Sequence, residues 1–217
     1  MTDNTLTHLY FLLDRSGSMH SIRTDTMGGF DAFIEEQRST PGRGLVTLAQ
    51  FDDAYAEVYV DRDLVDVPPL ALAPRGSTAL LDALGRLITT AGERLAALPE
   101  EDRPGSVVVG VMTDGQENAS REWSHPQIKA LIEQQTRDYG WQFLYLGADQ
   151  DAIEEGSKMG FAAEKSMTYA RGKTKESLAH LSTNIGAYRQ AVAAGAAPMT
   201  AQRLTDFTPD QRADAAE

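Results

Sequence analysis

The 217-residue sequence contains no cysteine, so disulfides, thiolate metal sites and cysteine nucleophiles are excluded, and a reducing compartment suits it. It also lacks any apolar run approaching the ~18 residues of a membrane-spanning helix. Its polar start, "MTDNTLTHLY", has no basic leader region. A cytoplasmic protein that binds no membrane is therefore expected. Positive charge is short: 20 Lys and Arg against 32 Asp and Glu leave a formal charge of -12, which repels phosphate backbones and argues against nucleic-acid binding. Cations, or partners with basic patches, suit such a surface better. Histidine is sparse as well. His8, His20, His125 and His180 show no zinc-ligand spacing, and His20, just past "DRSGS", is expected at the surface.

What is present is an alternation of strand and helix patterns. Leu9 to Leu13 read as a buried strand. From Met19 to Arg38, Ile22, Met27, Phe30, Phe33 and Ile34 recur at mostly three- and four-residue steps, as on an amphipathic helix. "PGRG" breaks the chain, and "LVTLAQF", the turn at Asp52 and Asp53, and "AYAEVYV" predict an antiparallel hairpin. After a loop with Pro68, Pro69 and Pro74, the leucines of "RGSTALLDALGRLITTAGERLAAL" follow helical periodicity closely. Val107 to Met112 are apolar without alternation, as in a parallel strand covered on both faces. Ser124, Pro126 and Gln127 predict a capped helix start, and "WQFLYLGAD" another buried strand. Between Asp151 and Tyr169 a short helix and an edge strand, "EKSMTY", are expected.

Leu178, Leu181, Ile185, Tyr188 and Val192 predict a last helix, either packed on the sheet or offering a heptad-like seam to a partner. The expected fold class is α/β, with a doubly wound, mainly parallel central sheet, one antiparallel edge hairpin and helices on both faces. Residues 1–170 would form this domain and residues 171–195 a helix packing on or extending it. Residues 196–217 would be a flexible tail, with Leu204 and Phe207 as docking residues.

Ligands of open parallel sheets bind outside the carboxyl ends of the strands, where strand order reverses. Three segments put oxygen donors at such places: Asp14, Ser16 and Ser18 after the first strand, Thr78 opening the strongly periodic helix, and Thr113 with Asp114 ending the apolar strand. Each alone would read as a helix cap or a turn. Together they suit magnesium, a small hard ion that takes about six oxygen ligands and keeps some of its waters. If hydroxyls take inner positions, the ion stays electrophilic toward one more anionic oxygen, which a carboxylate of a partner protein would supply.

"DRSGS", "RGST" and "TDG" resemble, in kind and order, the metal-ion-dependent adhesion site (MIDAS) of the von Willebrand factor type A (VWA) domain family, a match covering roughly the first 150 residues. The resemblance implies that Asp14, Ser16, Ser18, Thr78 and Asp114 hold the ion, with Thr113 supporting the loop. It implies Mg2+, with Mn2+ or Ca2+ as alternatives, and metal-mediated protein binding rather than catalysis. Bacterial-type cytoplasmic members often act as assembly modules beside ATPases or kinases. Nothing after Met167 matches.

Asp149 and Asp151 read as caps of the next helix more than as further ligands. Arg15, Arg75 and Arg121 lie in or near the ligand loops; they form either a positive rim that steers a partner carboxylate or ordinary solvated side chains. A scaffold with an unoccupied site is the alternative function. A magnesium-dependent phosphatase-like hydrolase is less favoured, because the position two residues past Asp14 is Ser16 and not a second carboxylate.

Overall fold

A computed structural model describes residues 2–217. Strand β1 (Asp3–Asp14) lies at the centre of the sheet, pairing in parallel with β2 (Arg43–Phe51) on one side and β4 (Pro104–Thr113) on the other. Its central position explains its unbroken apolar run. Leu9, Phe11 and Leu13 enter one core, while Tyr10 and Leu12 enter a second on the opposite face. With β3 (Tyr55–Asp63), β5 (Gln142–Ala148) and β6 (Ser166–Tyr169), the order is β3-β2-β1-β4-β5-β6, and β3 alone is antiparallel, paired with β2 across the Asp52–Asp53 turn. The chain winds outward from β1 and returns to it at β4. The reversal puts Asp14 and Asp114 at neighbouring strand ends.

Helices α1 (Arg23–Ser39) and α5 (Thr174–Ala193) contribute to the first core, and α2 (Leu80–Ala97) and α3 (His125–Tyr139) to the second. Phe11 meets Phe30 and Phe33 edge-on at centroid distances of 5.2 and 4.9 Å, an arrangement favoured by the ring quadrupoles. A Cβ on Gly29 would fall 2.8 Å from Leu178 Cδ1, so glycine is what lets α1 and α5 approach. Ser124 and Gln127 form the expected capping box of α3. Helix α4 (Ala152–Lys158) is capped by Asp151, which accepts the Glu154 amide at 2.9 Å. Two helices begin later than their periodicity predicts. Residues Gly17–Ile22 form a 3-10 turn before α1, and α2 starts only at Leu80, because the preceding residues are tied into loop contacts at the strand ends.

The alternative of a free seam on α5 is corrected. Leu178, Leu181, Ile185 and Tyr188 are buried against this chain's own core, and the buried Arg189 donates to the Gln37 and Gly42 carbonyls. The segment read as a tail is likewise packed, forming α6 (Pro198–Gln202) and α7 (Pro209–Ala216). Ala201, Phe207 and Ala215 join the core, and the Ala170 amide donates to the Ala215 carbonyl at 2.8 Å. Alanine gives a weak periodic signal, but its small side chain lets α7 lie close to the end of β6. Leu204 stays 38% exposed, so Phe207 alone of the two docking candidates is buried. No helix among the described residues is long and apolar enough to cross a membrane.

Candidate metal centre

Three loops meet above β1 and β4. Asp14 ends β1 fully buried; its Oδ1 accepts the Ser16 amide and its Oδ2 the Thr113 hydroxyl, both at 2.6 Å. Ser18 Oγ donates to Asp114 Oδ1 at 2.6 Å and lies 3.1 Å from Ser16 Oγ. Thr78 is placed by the loop after β4: its amide donates to Asn118 Oδ1, and its carbonyl accepts the Asn118 amide, each at 3.0 Å. The Gly17 amide donates to the Gly76 carbonyl and the Arg75 amide to the Arg15 carbonyl, joining the first two loops. Gly76 takes a φ of +69°, and a side chain there would strike Asp53, so both the backbone and the space require glycine.

The five expected ligand residues are thus brought together. A Cβ on Gly115 would lie 3.0 Å from Thr78 Oγ1, 3.6 Å from Ser18 Oγ and 3.8 Å from Asp14 Oδ2. Glycine, on the loop after β4, therefore leaves open a space bounded by oxygens from the other two loops. Asp114 Oδ2 is buried and accepts no hydrogen bond. Burial pushes the Asp14 carboxyl up to about 6, against the hydrogen bonds from Thr113 and Ser16. Burial also raises Asp114, opposed chiefly by the Ser18 hydroxyl. Two desolvated carboxylates with a vacant acceptor and nearby hydroxyls fit a hard divalent cation. Among the described residues no group of three or more His, Cys, Asp and Glu gathers as a metal site; this set consists of two carboxylates and hydroxyls instead.

Two of the three expected rim arginines share one internal carboxylate. Arg15 Nε and Arg75 Nε lie 2.9 and 2.7 Å from the same oxygen of fully buried Asp52, so both are turned toward an internal anchor. Burial would raise Asp52, but the hydrogen bonds from Arg75, the Ala54 amide and Arg15 outweigh it and hold its carboxyl below the usual range. Arg121 is exposed, and its amide, with those of Glu122 and Trp123, donates to the Asp82 carboxylate. His20 is exposed, as expected. Asp149 stands outside the ligand group, at φ +50° and 2.8 Å from Arg171 Nε.

Sequence reasoning missed Arg171, whose Nη2 lies 3.4 Å from Asp114 Oδ2. It comes from a segment without any matched motif, and no local pattern points to it. It also missed Glu117, which accepts the Leu81 amide at 2.9 Å and so caps α2 from another loop. The polar run "GQENAS" directly after Asp114 was the available signal.

No protein-family model matches the sequence, and none of the curated proteins matches it. Among solved structures, the chain is similar to proximal thread matrix protein 1 from the mussel byssus, at 16% identity over 82% of this chain and 45% of that one, with a TM-score of 0.59. A structure of the same protein with a zinc-occupied MIDAS motif aligns at 19% identity over 81% of this chain and 44% of that one, with a TM-score of 0.57. The vWF domain of the type V pili tip protein Mfa5 from Porphyromonas gingivalis aligns at 11% identity over 82% and 94% of the two chains, with a TM-score of 0.58. The chain spans less than half the length of the mussel protein. At these identities the likeness shows the fold, a VWA-like α/β fold.

Proposed function

We propose that the chain is a non-catalytic protein-binding module that holds a divalent cation at Asp14, Ser16, Ser18, Thr78 and Asp114 and engages an acidic residue of a partner protein through it. The observation that carries this reading is the oxygen-bounded space beside Gly115, together with the buried Asp114 Oδ2 that accepts no hydrogen bond. The all-oxygen donor set favours Mg2+, with Mn2+ or Ca2+ as substitutes. A bound ion would supply Lewis acidity toward an incoming carboxylate oxygen. The chain's own residues do the rest: Thr113 and the Ser16 amide orient Asp14, and Asn118 sets the height of Thr78. The MIDAS motif of the mussel neighbour supports the same use of the fold. Hydrolysis is disfavoured because the residue two positions past Asp14 is Ser16, whose hydroxyl contacts Ser18 and leaves no second carboxylate there for acid or base work. The cysteine-free composition suits a cytoplasmic location.

Two measurements test the reading. Titrating Mg2+ into the wild type should raise its melting temperature, and Ser16→Ala should lose most of that rise. Immobilised wild-type protein should then retain a partner from native cell extract with Mg2+ but not with EDTA, while Ser16→Ala retains none. Equal retention in all conditions would separate binding from the ion. A second reading, a scaffold with no resident ion, is favoured by one observation: the Arg171 guanidinium already faces Asp114.

A further inference from the structure

We propose that Arg171 is a built-in competitor of the metal ion, its guanidinium facing the Asp114 oxygen that an incoming ion must claim. The inference rests on the metal-site reading above and names the group that sets the ion's affinity.

Arg171 belongs to a short 3-10 turn, Arg171–Lys173, between β6 and α5. Its backbone is pinned: the Thr174 hydroxyl donates to the Arg171 carbonyl at 3.0 Å, and the preceding Ala170 amide donates to the Ala215 carbonyl at 2.8 Å. From this fixed base the side chain reaches over the strand ends. Nη1 donates to Ser21 Oγ at 3.1 Å, Nε lies 2.8 Å from Asp149 Oδ2, and Nη2 lies 3.4 Å from Asp114 Oδ2. One guanidinium thus links the β1, β4 and β5 loops. Asp149 meets it from a left-handed backbone conformation that few residues other than Gly, Asn and Asp adopt readily.

The geometry at Asp114 makes the two cations exclusive. Oδ1 is taken by Ser18, so Oδ2 is the atom left to neutralise, and the guanidinium is the positive group facing it. A divalent ion at the same carboxylate would repel the guanidinium at short range, in a setting where Asp114 is screened from water. The distance of 3.4 Å, without hydrogen-bond geometry, marks a contact that can be given up while Ser21 and Asp149 keep the side chain nearby. The consequence is a protein that tolerates an ion-free site and binds its ion more weakly than the oxygen set alone would.

The test is isothermal titration of Mg2+ and of Mn2+ into the wild type, Arg171→Met and Arg171→Lys at one ionic strength, with melting temperatures recorded in EDTA. Because Arg171 is partly exposed (40%), these variants should fold. Arg171→Met should bind both ions about fivefold more tightly, the factor expected from losing one partly exposed charge pair. It should melt below the wild type in EDTA, with Arg171→Lys between the two. Equal affinities in wild type and Arg171→Met would overturn the competition while leaving the metal site standing. Weaker binding by Arg171→Met would overturn it too, making Arg171 a residue that positions Asp114. No binding of either ion to any form would overturn the metal-site reading, and the competition with it.

Discussion

Glycine 115 carries as much of the candidate site as any of the oxygen donors. The donors converge because their loops are bonded to one another, but they enclose usable space only because residue 115 has no side chain. Gly115→Ala should therefore abolish the magnesium-induced rise in melting temperature while leaving stability in EDTA within about 1 kcal/mol of wild type, since the added methyl meets hydroxyl oxygens that can rotate aside. A thermal shift series in both conditions checks it, and an undiminished magnesium response would place the ion elsewhere. Asp14, Ser16, Ser18, Thr78 and Asp114 were legible because local patterns announce strand ends and helix starts. Arg171 was not: its part depends on α7 and β6 holding one turn over a carboxylate 57 residues earlier in the chain, a relation that no local pattern encodes.

At the scale of elements, β1 carries two unlike polar sites. Its carboxyl end carries the oxygen cluster, and midway along it His8 is buried under the sheet face, stacked on Tyr10 at 4.0 Å and within 3.0 Å of Thr47 Oγ1. Asp61, at φ +51° where the β2–β3 register shifts, lies 3.5 Å from the same imidazole nitrogen. Burial, with the Arg94 charge, holds His8 down at about 3. The unfolded chain takes up this proton near pH 6.5 and the folded one only near pH 3, so stability should fall as pH drops through that window, at a limiting slope of about 1.4 kcal/mol per unit. Chemical denaturation of wild type and His8→Gln between pH 7 and 4 checks this, and identical pH slopes would overturn it. The strands and the long helices were readable because burial on one or two faces imposes period 2, an unbroken apolar run or period 3.6. The helix starts at Arg23 and Leu80 were not, because loop-to-loop hydrogen bonds hold the residues before them out of the helix.

For the whole molecule, a formal charge of -12 means that folding brings like charges together. In EDTA the melting temperature should rise as NaCl goes from about 10 to about 150 mM, where the screening length shortens severalfold to ~8 Å; a fall would show that attractive pairs such as Arg94 with Glu57 outweigh the repulsion. Under the proposed function an acidic protein meets an acidic partner residue, which calls for a cation between them, and Arg15 and Arg75 already share the Asp52 carboxylate. By itself the sequence determined the α/β class, the wound sheet, the edge hairpin and the five oxygen donors, because each is written in short-range periodicity or in motifs at strand ends. Only the tertiary structure decided that Arg15 and Arg75 share one buried anchor, that the C-terminal residues pack as α6 and α7, and that Arg171 faces Asp114. These are contacts between segments far apart in sequence, fixed by which surfaces the folded chain brings within a few ångströms and not by anything their neighbours in sequence express.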